Sequence, residues 1–531
     1  MILYITYFKI YNFKTQGKIV HFMKIGLVFN PFSYKLHEEN IRIVQKYFGL
    51  FPPLSLAWVA AIAESAGHEV VIIDARTLEL TIDETTNILK KFKPDLIGFM
   101  MTTYMFRETM EWAAALKAAV KAPVVIGGYN LRVYPRESLM NDVVDYGCLN
   151  HALVMFPAFL RELERERNFE SVPGLIYKHN GDIIVNEASP EEEDFNAYPN
   201  PARHLLPNEL YAEFPTERKN FTVMITSLGC PMRCVFCEAG GTKYSPRSPV
   251  IVVDEIEQCV RDFGIREIDI FDYDFTFQRG RVESICDGII GRGLDVTWAC
   301  RSRIDHVDAM LLEKMRKAGC RRIYYGIESS NQDILAAMHK QISVAQVMDT
   351  IDLTRRTGIK TLGFFLAGVP GETRKSLEQT VKFAKRLKLD YAQFSKLTAK
   401  PWTTLWKDMV QNTGKDYWKD YVLGVEQEKQ LPRAWTSLSN EEIDRLTKRA
   451  YLKFYGSPRF LWRATKSVAS FTEFKRKFLA LIDMIFKQEN KSETWTLKHA
   501  TFKTYNENRT RRIKYFLNHL SSLSAAKKDG E

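Results

Sequence analysis

The chain has 531 residues, 45% hydrophobic and 26% charged, with a formal net charge of +11. That length suits two to four domains, and the balance is that of an ordinary globular protein rather than a disordered one. No run of roughly eighteen uncharged apolar residues occurs, which argues against a membrane-spanning helix. Of eight cysteines only three are grouped, so there is no disulfide framework. The charge is uneven: Arg445 to Glu531 holds 20 basic and 7 acidic residues, more than the whole excess.

Residues 1–22 are basic and aromatic, and Lys9, Lys14 and Lys18 break the apolar run. They read as an extension ahead of a domain beginning at Met23, with a membrane-surface anchor as the alternative. From Lys24 strands alternate with helices. Strands are expected at Ile25–Phe29, Val70–Ile73, Leu96–Met101 and Val124–Ile126, and another from Val143. Helices are expected at Leu54–Ala66, Ile82–Phe92, Phe106–Val120 and Ala152–Glu164. This alternation predicts an α/β, Rossmann-like domain over 23–170. Ligands of such sheets bind at the strands' carboxyl ends. Asn30-Pro31, Thr102-Thr103 and Gly127-Gly128 lie there.

Residues 171–220 read as a hairpin turning at Asn180-Gly181, then an acidic, proline-rich linker. A second alternating array fills 221–400. Its strands are expected at Val223–Thr226, Glu267–Phe271, Val296–Cys300, Arg322–Ile327, Lys360–Ala367 and Tyr391–Lys396. A long helical stretch after the fourth strand runs to Thr357. Six strand–helix units predict a partial (β/α)6 barrel. Residues 401–531 read as a helical, basic region. Within it Phe471–Lys487 places aromatics at helical spacing, which fits an interfacial helix or one packed on the barrel.

Cys230, Cys234 and Cys237, spaced C-x3-C-x2-C, follow the first strand of this array. Thiolates suit iron–sulfur clusters or zinc. Structural zinc wants four ligands, and no fourth cysteine or close histidine follows. Three ligands on a four-iron cluster leave one iron open. Charged residues recur at the other strand ends: Asp272, Asp274, Arg301, Arg303 and Glu328.

Thr222–Gly241 resembles the cluster loop of radical S-adenosylmethionine (SAM) enzymes, where the open iron binds SAM. The resemblance implies a [4Fe-4S] cluster on Cys230, Cys234 and Cys237, with the family's aromatic residue at Phe236. Gly326-Ile327-Glu328-Ser329 resembles an element lying beside SAM, which implies Gly326 and Glu328 in the SAM region. Asp272–Phe277 matches the family's aspartate-rich element, so Asp272 is expected there too. Arg301 suits the carboxylate of SAM. The family's usual Gly-Gly-Glu is absent. Gly368–Thr373 resembles a turn of the subfamily and equally reads as a cap for the next helix.

Pro52–Ala75 and Pro123–Gly128 resemble the cobalamin-binding domain that precedes the radical SAM domain in one subfamily. This implies cobalamin near Asn30, Thr102, Thr103, Gly127 and Gly128. No D-x-H-x-x-G occurs, so no histidine is offered to cobalt. Gly147–His151 also lacks the acids many relatives carry.

The resemblance implies methylation of an unactivated carbon: a 5′-deoxyadenosyl radical removes hydrogen, and methylcobalamin donates the methyl group. The alternative is oxidative cyclisation of the magnesium-protoporphyrin IX monomethyl ester type. From another class, a non-catalytic cobalamin-binding or scaffold protein is opposed by the intact cysteine spacing. Methylthio transfer needs a second cluster, and the first half has only Cys148. Expected partners are a small-molecule, lipid or tetrapyrrole substrate and an electron donor such as flavodoxin or ferredoxin. No nucleic-acid module is evident. A cytoplasmic location is expected, with peripheral membrane contact through the basic C-terminal region.

Overall fold

The computed structural model describes residues 22–32, 49–149, 152–165, 167–188, 194–213, 215–218, 220–425, 431, 433–458 and 460. The expected extension, except Phe22, and the expected helix Phe471–Lys487 lie outside them.

The first sheet is built from β1 (Lys24–Phe29), β3 (Glu69–Asp74), β4 (Leu96–Met100), β5 (Val124–Gly127) and β6 (Tyr146–Cys148), with β7 (Leu175–His179) and β8 (Asp182–Val185) at one edge. Strand order is β3-β1-β4-β5-β6-β7-β8. The first five strands are parallel and the last two antiparallel. Continuous apolar runs fill these strands because helices cover both faces. β1 is flanked by β3 on one side and β4 on the other, so the chain switches direction between β1 and β4, the position at which sheets of this kind bind ligands.

Two expectations shift here. The strand expected from Val143 begins at Tyr146. The hairpin turns at Asn180 (φ 51°) and Gly181 (φ 89°) as expected, but it pairs with β6 and so extends the first sheet rather than forming part of a connector. Within the connector, β9 (Ala212–Glu213) pairs with β2 (Gly49–Leu50).

The second sheet runs β10 (Phe221–Met224), β13 (Glu267–Ile270), β14 (Thr297–Ser302), β15 (Cys320–Glu328), β16 (Lys360–Ala367) and β17 (Tyr391–Lys396) in that order, every pair parallel. Its six strands form the partial barrel. β11 (Ser227–Leu228) and β12 (Ser245–Pro246) form a small antiparallel ladder at the base of the cysteine loop.

The long helix expected after the fourth strand is two helices, Gln332–Ala337 and Val344–Arg356. His339 and Gln341 interrupt it with φ of 53° each. Ser343 and Gln346 form a capping box that starts the second helix afresh.

Beyond β17 the chain clamps both halves. Trp418 and Tyr421 enter the core of the first domain. Leu405, Met409, Tyr451 and Phe454 enter that of the barrel. Residues 445–455 of the basic C-terminal region therefore belong to the core helix Asn440–Tyr455 and are not a free surface segment. Trp418 is 1% exposed and donates to the Ala399 carbonyl at 2.8 Å. Trp418→Ala leaves a large cavity at this junction and is expected to cost about 3–5 kcal/mol. A lowered thermal midpoint, with earlier proteolysis between the two halves, checks this.

Candidate functional site

The cysteine loop hangs from a corner fixed from inside the barrel. Asp272, just past β13, is fully buried. Its carboxylate accepts from Thr226 N at 2.6 Å, Thr226 Oγ1 at 2.5 Å, Ser227 N at 3.1 Å and Ser227 Oγ at 2.7 Å. Arg281 donates to the Thr226 carbonyl at 2.7 Å. Burial pushes the Asp272 carboxyl up, while Arg281 and these hydrogen bonds pull it back. Asp272 is thus a corner post, not a SAM contact. A glycine is required at 229, where φ is 72° and a Cβ would stand 1.8 Å from the Lys243 carbonyl.

On this loop Cys230, Cys234 and Cys237 are free, half-buried thiols. Burial raises all three, Cys237 to about 11. Among the described residues no three metal-binding side chains converge on a single-ion point. A four-iron cluster takes its thiolates on separate irons, and three free thiols on one loop fit that donor set. Phe236 leans on the barrel core.

Facing the loop, Glu328 ends β15 with φ 64°, 5% exposed, and pairs with Lys340 at 2.9 Å. Burial opposes the Lys340 charge, but Glu328 and Cys234 outweigh it and hold its pKa above the usual value. Gly326 makes room, since a Cβ there would meet Glu328 Oε1 and Lys340 Nζ at 2.6 Å. The Cys234 thiol donates to the His339 carbonyl at 3.9 Å. Asp274 accepts from Arg303 N at 3.4 Å and contacts His306 Nδ1 at 2.5 Å, which raises the imidazole above its usual value.

Arg301 is turned elsewhere. Its guanidinium bonds Asp269 and the Ile270 carbonyl inside the barrel, 3.8 Å from the centre of the Phe271 ring. Arg303 is the arginine whose charge reaches Cys230 and Cys234. Sequence reasoning also missed Lys340, hidden in an assumed continuous helix. The S-x-x-Q pattern at Ser343 is the signal that would have broken that helix.

At the carboxyl edge of the first sheet, Gly128 has φ 114° and a Cβ would lie 2.2 Å from the Met101 carbonyl, so the backbone must be bare. At Gly127 a Cβ would meet only Cys148, at 3.8 Å. Thr102 Oγ1 is buried without a hydrogen-bond partner. Thr103 begins the adjoining turn. A bare edge with one orphaned hydroxyl fits a large cofactor. Asn30 does not belong to it: its side chain is fully buried, donates to the Pro31 carbonyl at 3.0 Å and accepts from Thr109 at 3.2 Å.

The two edges meet. Tyr129, next to Gly128, donates to the carbonyl of Glu238, next to Cys237, at 2.7 Å. Burial, then Glu238, raises its phenol to about 12. Below them β9 inserts Glu213 into the barrel, where Tyr324 Oη donates to it at 3.0 Å. Burial and Asp269 push Glu213 up to about 8 against Arg322 and Arg301.

Comparison with known proteins agrees with this architecture. Residues 224–384 match the radical SAM superfamily and residues 42–160 the B12 binding domain. An uncharacterized methyltransferase of Pyrococcus horikoshii is 31% identical over 83% of this chain and 94% of its own length. The anaerobic magnesium-protoporphyrin IX monomethyl ester cyclase of Rubrivivax gelatinosus is 27% identical over 68% of this chain and 67% of its own. Among solved structures, the cobalamin-dependent radical enzyme OxsB superposes with TM-score 0.64 at 15% identity, covering 96% of this chain and 81% of that one. The methyltransferase TsrM of Kitasatospora setae gives 0.59 at 20%, covering 73% and 76%.

Two outcomes follow from the geometry. Asp272→Ala removes the corner post, and reconstituted iron is expected to fall well below four per chain. Iron and sulfide assay against Cys230→Ala checks it. Glu213 holds its proton more tightly folded than unfolded. Stability is therefore greatest below its ordinary value and falls as pH rises toward about 8. In Glu213→Gln that decline is expected to flatten between about pH 4.5 and about 8, as read by thermal midpoints.

Proposed function

This chain belongs to the cobalamin-binding radical SAM enzymes, and from that premise we propose that it methylates an unactivated carbon of a small substrate. Bound together, the cluster and SAM supply a hydrogen-abstracting radical, and cobalamin supplies the methyl group. The chain's part is placement and exclusion. Cys230, Cys234 and Cys237 hold the cluster at the barrel's carboxyl edge. The Glu328–Lys340 pair offers a carboxylate for the ammonium or ribose of SAM and an ammonium for its carboxylate. Gly127, Gly128 and Thr102 offer cobalamin a bare edge with one hydroxyl donor.

The observation that carries this reading is the 2.7 Å bond from Tyr129 to the Glu238 carbonyl. It closes the two ligand edges on each other, so a substrate between them meets both reacting groups at once. The Pyrococcus relative, named a methyltransferase, supports it. The cyclase relative supports the other reading, in which the same space serves ring closure.

The histidines described in the first sheet are His68, just ahead of β3's amino end, and His179, at the hairpin tip, both away from the carboxyl edge. Because the sequence has no D-x-H-x-x-G, bound Co(II)cobalamin is expected to show no imidazole nitrogen splitting by electron resonance. With dithionite, SAM and its substrate, the enzyme is expected to form 5′-deoxyadenosine and S-adenosylhomocysteine in step with a methylated product. Turnover without S-adenosylhomocysteine would replace methyl transfer by the cyclase reading.

A further inference from the structure

The break between the helices Gln332–Ala337 and Val344–Arg356 faces two ways. Lys340 turns inward to Glu328. His339 and Gln341, which interrupt the helix, are exposed on the other side. This turn touches the cysteine loop at two successive residues. Cys234 Sγ lies 3.9 Å from the His339 carbonyl, and Val235 N donates to the Met338 carbonyl at 3.3 Å. His339 thus meets a cluster thiol through its backbone while its residue is open to solvent.

The outer side is concave. His339 and Gln341 line a cavity of about 500 Å³ together with Gln332, Ala336, Ile342 and Gln346. That volume suits the planar head of a cofactor. The walls are preset. Gln332 ties the two helices together, donating to the Ile342 carbonyl at 3.0 Å and accepting from Val344 N at 3.3 Å. Gln346 is held in the capping box with Ser343. Among the described residues the lining carries no acid, lysine or arginine, although 26% of the chain is charged. Depletion of charge marks the centre of a surface that a partner covers.

An iron–sulfur cluster that starts radical chemistry needs an electron from outside the chain. Electron transfer falls off exponentially with distance, so a donor must dock where the wall is thin. Here the His339 peptide alone separates the cavity from a cluster thiol. We propose that this cavity receives the electron donor, and that the donor is a flavoprotein whose exposed flavin edge enters beside His339. The dimethylbenzene end of a flavin is flat and apolar, which fits a concave wall containing Ala336 and Ile342. The donor's anionic flavin hydroquinone loses one electron and is left as the neutral semiquinone. The cluster takes that electron, passing from [4Fe-4S]2+ to [4Fe-4S]+, and no proton moves. The inference rests on the family and not on the proposed methylation, since a cyclase needs the same electron.

The test reads cluster reduction without substrate, on holoenzyme carrying cluster and cobalamin. Freeze-quenched samples are scored for [4Fe-4S]+ by electron resonance. Reduced flavodoxin and reduced ferredoxin are compared with dithionite, which needs no docking. Ala336→Trp fills the cavity from an exposed helix position. It is expected to slow reduction by flavodoxin about tenfold, weaken binding of oxidised flavodoxin by about the same factor, and leave the dithionite rate unchanged. Gln346→Glu keeps the capping box and puts a charge into the lining, and the same direction is expected. Iron per chain monitors folding, and Gln346→Glu keeps the test decisive if Ala336→Trp misfolds. Parent rates with flavodoxin in both variants overturn the site. A loss shared by dithionite also overturns it, because the variants then act on the cluster itself. Ferredoxin as the faster donor, and the one slowed by the variants, overturns the flavin half. Because neither substrate nor product is read, these results stand apart from the product analysis that tests methyl transfer.

Discussion

A buried carboxylate holds the chemistry in place. Asp272 spends both oxygens on the backbone and hydroxyls of Thr226 and Ser227, and so fixes the corner at which β10 becomes the cysteine loop. Burying a charge is costly unless it is hydrogen-bonded, and removing the acceptor would strand four donors. Arg281 ties the same corner to the Arg247 carbonyl at 2.9 Å. Arg247 in turn shares Glu255 with Arg203, and Arg203 reaches the Val223 carbonyl of β10. The loop that carries the thiols therefore hangs on a buried polar frame rather than on its own short ladder.

The interior of the barrel is polar for a related reason. An incomplete barrel cannot close on its own side chains, so neighbouring elements fill it. β9 supplies Glu213, and Arg322 lies 3.6 Å from Glu213 and 3.5 Å from Glu267. Asp269 and Arg301 join from the strands above. Phe51, just after β2, packs on Phe221 and Phe271 at 6.1 and 5.3 Å. The same residues that seal the barrel thus bind the two domains to each other, and the C-terminal clamp through Trp418 does so from the far side. Holding two cofactor edges in register needs such rigidity, because a small displacement between reacting groups is costly in rate.

Backbone strain gathers around the site. Glu328, His339, Gln341 and Trp402 all have positive φ. Three of them surround Lys340, which reaches Glu328 only because the helix is broken there. Conformations of this kind persist when their surroundings over-determine them. Here those surroundings are the Ser343 cap on one side and the Cys234–His339 contact on the other.

By itself the sequence determined the alternation of strand and helix, the six-stranded partial barrel and the three thiols, because hydrophobic period and cysteine spacing are local signals. It also placed Gly128 and Glu328 at strand ends, where ligands gather. Only the tertiary structure decided which charges face the site. Arg301 and Arg303, two residues apart, go to different places: one into the interior beside Asp269, the other to the cysteines. Asp272 and Asn30 turned inward because buried backbone donors and hydroxyls elsewhere in the chain required acceptors. Lys340 and Tyr129 entered the site through partners 12 and 109 residues away. The Tyr129 pairing is set by how the two sheets pack, and that of Lys340 by the helix break at His339 and Gln341.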